Sequence, residues 1–153
     1  MTITATSVLS SLTTAEIREL TTSELAVITT SQAASLSTDQ LVALSTEQAK
    51  SLTTRFIAGL TTQQISAIEA EDLVLLSNNA IATLNSEQVA ALGTNQVAVL
   101  STAQVALLKT NTIAALSTQQ IVALNTLQVA NLRTSFVQAL STAQIAEIGR
   151  AHV

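Results

Sequence analysis

The sequence predicts an all-α solenoid, a superhelix of very short capped helices with one helix per eight residues, and three observations carry the prediction. The first is the period. Residues 5–148 read as eighteen octads without insertion or deletion, and every eighth residue from 12 to 148 is Leu or Ile. A repeat this strict overrides the reading of a 153-residue chain as an ordinary globular domain. The second is a helix-start signal at the same spacing. Numbering each octad from residue 5, position one is Ser or Thr in eleven copies, Asn in Asn85 and Asn125, and Gly in Gly93; position four is Gln in ten copies and Glu in Glu16 and Glu24. Ser/Thr-x-x-Gln/Glu is the capping box, in which each side chain satisfies a backbone N–H of the other residue. The third is an aliphatic residue at position five in all copies but two, Ala33 and Ala49. With the position-eight residue just before each cap it forms the hydrophobic staple. Box and staple together restart a helix every eight residues, leaving six or seven residues for each.

Two other architectures fit less well. In one continuous helix, eight residues at about 100° each overshoot two turns by about 80°, so the Leu stripe would circle the axis within four or five octads. In a strand, positions five and eight are an odd number of residues apart and fall on opposite faces, whereas on a helix they share one. A β-solenoid, the alternative fold, would also need corner residues, yet the chain has three Gly and no Pro.

Taken in order, the array is a single repeat unit over residues 1–153, with octads at 5–148 and an incomplete nineteenth at 149–153. The first octad is degenerate, with Val8 in the glutamine column. Regular octads follow from 13 to 68; within them Phe56 takes the glutamine position and Gly59 leaves room at position seven, a combination that fills a packing gap. The octads beginning at 69 and 77 lose the position-two Thr and the position-four Gln, while Leu73, Leu76, Ile81 and Leu84 hold the core register. Here Glu69, Glu71 and Asp72 form a candidate metal cluster, since three carboxylates within four residues, followed by Asn78 and Asn79, offer the oxygen donors that a hard cation such as Ca²⁺ takes. The same carboxylates suit a solvated helix start facing the positive end of the dipole, and no Gly-bearing loop accompanies them; that reading is preferred and no metal site is assigned. From 85 to 148 the pattern is regular again, with Lys109 and Arg133 at cap positions and Phe136 in the glutamine column. His152, the single His, sits in the tail, and without Cys or a second His no familiar nucleophile–base pair can be assembled.

Thr at position two recurs in fifteen octads, more faithfully than any cap residue at position one. Capping does not require it. The expectation is a second ladder, with the Thr methyl packed between octads and the hydroxyl bonding a carbonyl of the adjacent copy. Leu76, Leu92, Leu100 and Leu116 are expected in the core, with Leu100→Ala costing roughly 2–5 kcal/mol. Gln104→Ala is expected to cost about 1 kcal/mol, the loss of one capping contact.

Composition narrows the function classes. The chain is 48% hydrophobic and 10% charged, which argues against disorder. No apolar run reaches the length of a membrane span, so no membrane insertion is expected. A net charge of −4 lacks the basic footprint of a nucleic-acid-binding protein. There is no Cys for thiolate metal sites, and the aromatic residues are Phe56 and Phe136 alone. The sequence points to no catalytic residues and no cofactor, and an enzyme is the least expected class.

Residues 84–92, Leu-Asn-Ser-Glu-Gln-Val-Ala-Ala-Leu, resemble the first helix of the DNA-reading repeats of TAL effectors. That resemblance covers one helix and implies a capped helix start; the second helix, the base-reading loop and the basic charge are missing, and DNA reading is not carried over. More broadly, the octads resemble the Leu-Thr-Thr-Ala-Gln-Ile-Ala-Ala arrays of very large secreted or surface proteins of bacteria, adhesin-like ones among them. This second resemblance spans all eighteen octads. It implies a stalk or spacer and an extracellular or cell-surface location.

The leading functional expectation is thus a structural repeat module, a rod or superhelical spacer within a larger surface or secreted protein. The alternative is a solenoid scaffold that grips an extended ligand or partner protein on its regular Ser/Thr/Gln face. An ice- or mineral-facing surface would need a flat, exposed Thr column, in conflict with a buried Thr ladder. Neither end of the array shows a polar-faced capping repeat. The chain is therefore expected to be a slice of a longer array that associates through its ends with other copies or with other repeats of its parent protein.

Overall fold

The computed structural model describes residues 3–4 and 7–151. A short 3₁₀ turn at Leu9–Ser11 is followed by seventeen helices among the described residues. The first six are α1 (Thr14–Arg18), α2 (Thr22–Ala26), α3 (Thr30–Ser35), α4 (Thr38–Val42), α5 (Thr46–Ser51) and α6 (Thr54–Gly59). Next come α7 (Thr62–Ala67), α8 (Ala70–Leu73), α9 (Asn78–Ala82), α10 (Ser86–Ala90), α11 (Thr94–Val99) and α12 (Thr102–Leu107). The array ends with α13 (Thr110–Ile113), α14 (Thr118–Val122), α15 (Thr126–Ala130), α16 (Thr134–Ala139) and α17 (Thr142–Ala151). There is no strand among the described residues, so the β-solenoid alternative falls away.

Each helix begins where the octad says it should. Position one is the N-cap, in extended conformation, and where it is Ser, Thr or Asn its side-chain oxygen accepts the position-four N–H, as Ser45 does from Gln48. The position-four side chain returns the bond to the cap N–H, Ser45 N to Gln48 Oε1 at 2.7 Å. Helices stop without Gly or Pro. The position-eight residue turns extended, as Leu52 does at φ −60°, ψ 129°. Its N–H reaches back only three residues, Leu52 to Ala49 at 3.2 Å, tightening the last turn. Two consecutive extended residues, at positions eight and one, then make the corner. No residue with positive φ is needed anywhere in the described chain.

The corners coil the chain so that each helix packs on the helix three octads away: α3 on α6, α6 on α9, α11 on α14, α14 on α17. Hydrogen bonds between layers join residues 28 and 31 apart. One superhelical turn therefore holds about 28 residues, or three and a half octads, and the array makes about five turns. Layers of packed helices lie about 8–10 Å apart, giving a rod about 40–50 Å long.

Positions five and eight point to the axis and form one continuous core, from Leu9 through Ile17, Leu25 and Ile57 to Ile121 and Leu124. Leu76, Leu92, Leu100 and Leu116 are buried as the period requires. Phe56 fills its place in the glutamine column and is fully buried. The missing Cβ of Gly59, however, is matched to backbone and not to the ring, because α3 approaches so closely that a Cβ there would lie 2.4 Å from the Thr30 carbonyl oxygen.

Two expectations are corrected. The Thr ladder does not exist: of the fourteen position-two Thr residues among those described, twelve are exposed and Thr38 and Thr102 are half-buried. They occupy the first helical residue on the outer face, and where the Thr46 hydroxyl meets the next layer it bonds the Asp72 carboxyl, not a carbonyl. The tail, in turn, does not begin another octad. α17 runs on through Gly149 and Arg150, because Gly149 supplies no capping oxygen and position four of that copy is not Gln or Glu. An ion pair between Glu147 and Arg150, one turn apart, supports the extension. Position five of that copy, Val153, lies outside the described residues.

Candidate functional site

The chemistry of the fold is concentrated in position four. Gln104 is 1% exposed although its side chain is polar, and the other nine position-four glutamines are buried as well. Each uses its amide in two directions. The oxygen accepts the cap N–H of its own helix, and the Nε2 group donates to the layer behind. Gln88 Nε2 bonds the Leu60 oxygen at 2.7 Å and the Ile57 oxygen at 3.0 Å. Gln120 repeats this on Leu92 and Val89, and Gln128 on Leu100 and Val97. The acceptors are the carbonyls of position eight, the extended residue that ends the helix, and of position five, which also accepts the position-eight N–H, as Ile57 does from Leu60 at 3.2 Å. One side chain thus caps the start of its own helix and the end of a helix in the previous layer. Only an amide can accept and donate at once in this way.

The first turn shows the contrast. Glu16 and Glu24 complete their boxes, with Thr13 N to Glu16 Oε2 at 2.8 Å and Thr21 N to Glu24 Oε2 at 2.9 Å. The Thr13 and Thr21 hydroxyls add a second bond each. The backbone N–H first and the hydroxyl second hold both carboxyls below the ordinary carboxylate range. Neither Glu donates to another layer, and Glu24 instead accepts a further bond from the Ile3 backbone N–H. The first glutamine that does is Gln32, which bonds the Thr4 and Ser7 oxygens.

Five octads interrupt the ladder, at Phe56, Asp72, Ala80, Thr112 and Phe136. The two Phe rings are buried in the core, and the Thr112 hydroxyl turns back to its own cap carbonyl, Lys109 O, at 2.8 Å. Asp72 is too short to reach Leu41 and Leu44 as a glutamine would. A cavity of about 10 Å³, the size of one water, opens there between Leu41, Leu44, Ala49, Leu52, Glu69 and Asp72. Burial pushes the Asp72 carboxyl up, opposed by a bond from the Thr46 hydroxyl and helped by the nearby Glu71 charge.

The structure does not gather Glu69, Glu71 and Asp72 into one site. Asp72 turns half-buried between layers, whereas Glu69 and Glu71 are exposed, and the Glu69 side chain does not cap its helix. Among the described residues no group of three or more His, Asp or Glu side chains is placed to hold a metal ion. His152 lies outside the described residues. None of the described helices is long and apolar enough to cross a membrane.

Capping accounts for Gln and Glu equally, and the sequence reading therefore gave position four one task instead of two. The signal for the second task was present: Glu occurs in that column only at 16 and 24, and in none of the later octads whose glutamine donates to an earlier layer.

Residues 65–102 and 97–134 each match the family model of the ALTTAQ repeat, so the middle of the array is similar to a known short repeat motif. No curated protein matches the chain.

Proposed function

We propose that the array is a structural module, a rod or superhelical spacer within a larger surface or secreted protein, and that it joins other repeats or copies through its ends. The observation that supports this most directly is the glutamine ladder. It locks each layer to the next with directional bonds, and it consumes the one polar column that faces inward. What remains outside is a surface of Ser, Thr and varied polar residues with single exposed aliphatics such as Val42, Val122 and Leu127, and among the described residues no assembled acid, base or nucleophile. The module works without catalysis, cofactor or nucleic acid. Adhesin-like bacterial proteins are the context the octad resemblance suggests.

A spacer sets distance by layer count, which gives the test. Deleting or inserting 28 residues in register should change the rod by one layer, about 8–10 Å, and leave its cross-section unchanged. Small-angle scattering beside far-UV circular dichroism reads both quantities. A helical signal with length growing linearly and constant width supports the module; a compact particle whose width grows with each insertion refutes it.

A further inference from the structure

The ladder is not evenly strung. Residues 25–52 are tied to the turn before them by Gln32, Gln40 and Gln48, and residues 85–108 are tied to residues 53–84 by Gln88, Gln96 and Gln104. Residues 53–84 reach back to residues 25–52 through Gln64 alone. The other octads of that turn carry Phe56, Asp72 and Ala80 in the glutamine column, the last two in succession. The Leu44 and Leu52 carbonyls thus receive no position-four amide, whereas those of Leu60, Ile68 and Leu76 each accept one at 2.7, 2.7 and 3.0 Å. The seam is also uneven around the rod. On one side α3 and α6 lie in close contact, near enough that Gly59 has no room for a Cβ. About half a turn further along the chain, the packing opens into the small cavity between Leu44, Ala49, Leu52 and Asp72. There α8 has four residues and no side-chain cap.

We propose that this seam is a joint, at which the array divides into two cooperative blocks, the residues before 53 and those from 53 onward, and which opens from the Asp72 side. The stability of a stacked array is a sum over its units and the interfaces between neighbours, so the most thinly bonded interface is where it comes apart first. Apolar contact is non-directional and holds layers together without fixing them, whereas amide bonds fix their register. Helices of five or six residues do not persist without their layers, so opening unprotects the amides of the smaller block together. The joint lies inside the array and its cause is the local loss of glutamine. It goes beyond the structural-module reading, and it gives a rod one preset place at which to yield.

Native-state hydrogen exchange on the full chain at low urea, read amide by amide, tests the joint. The position-five amides of Leu25, Leu41 and Ala49 should exchange through one shared opening, about a hundredfold faster than those of Ile57, Ile65 and Val97, with the step between residues 52 and 53. D72Q/A80Q supplies the two missing rungs and should erase the step by slowing the first group, leaving Val97 unchanged. Asp72→Gln alone should slow that group about tenfold, and it replaces the double variant if the latter loses its helical circular dichroism. Gln64→Ala, which removes the remaining rung, should speed exchange in the first group and not at Val97. A smooth gradient of protection with no step at residue 52, folded glutamine variants that keep the step, or a Gln64→Ala variant that loosens both groups equally would each overturn the proposal.

Discussion

Replacing one inner glutamine by glutamate isolates the ladder from the cap. Gln88 is 2% exposed; its oxygen takes the Asn85 N–H at 3.0 Å, and its Nε2 serves Ile57 and Leu60. In Gln88→Glu the capping oxygen stays, as Glu24 shows with Thr21, but two donors vanish and a charge faces two carbonyl oxygens between layers. Two bonds at about 1 kcal/mol each, plus about 1–3 kcal/mol for the uncompensated buried charge, predict a loss of roughly 3–5 kcal/mol at neutral pH. The introduced carboxyl has a folded-state pKa above its unfolded value. Its penalty is therefore absent below the unfolded value and grows as pH rises through the folded one, so acidification should restore stability. Urea unfolding followed by circular dichroism at neutral and acidic pH measures both effects. The mirror substitution, Glu24→Gln, should change stability by less than about 0.5 kcal/mol, since Glu24 only accepts, from the Thr21 and Ile3 N–H groups, and a glutamine oxygen can accept likewise. Wild-type stability for Gln88→Glu at neutral pH, or a penalty that deepens on acidification, would refute a ladder role for the amide.

Three further outcomes follow from the same geometry. Leu100→Ala should cost roughly 2–5 kcal/mol, and Gln104→Ala should approach it at roughly 2–4 kcal/mol, well above a single capping contact, because it strips partners from the Ser101 N–H and from the Val74 and Leu76 carbonyls; thermal or urea denaturation of the pair decides. Asp72→Gln should stabilise the array by about 1–2 kcal/mol by reaching the Leu41 and Leu44 carbonyls across the small cavity. It should also abolish a pH dependence in which the wild-type chain loses stability as pH rises through the raised Asp72 pKa, read as unfolding midpoints across acidic pH. Gly59→Ala should destabilise by about 2–3 kcal/mol, since its Cβ would meet the Thr30 backbone, which has no rotamer with which to yield; Gly149→Ala, inside α17 with open space around it, should instead stabilise by up to about 1 kcal/mol in the same melt.

The helix starts were legible from sequence because their causes are local. A capping box links residues three apart and a staple links residues five apart, so the period of eight sets helix, corner and core columns before any long-range contact is considered. Position-eight leucines such as Leu76 and Leu100 were assignable to the core for the same reason. What the octad cannot contain is the rotation at each corner. Small differences in the extended residues, such as Leu52 and Thr53, accumulate over several octads to decide that a layer closes after about 28 residues. Only that closure places Gln88 over Leu60 and Ile57, and so gives the glutamine its second task. It likewise leaves the position-two Thr on the outside, presses α3 against Gly59, and half-buries Asp72 at a small gap between layers while Glu69 and Glu71 stay exposed. The sequence by itself determined the helical unit and its core columns, through hydrogen bonds and staples spanning fewer than eight residues. The tertiary structure alone decided the layer register and the bonds 28 and 31 residues long, because those depend on where the coil brings the chain back upon itself.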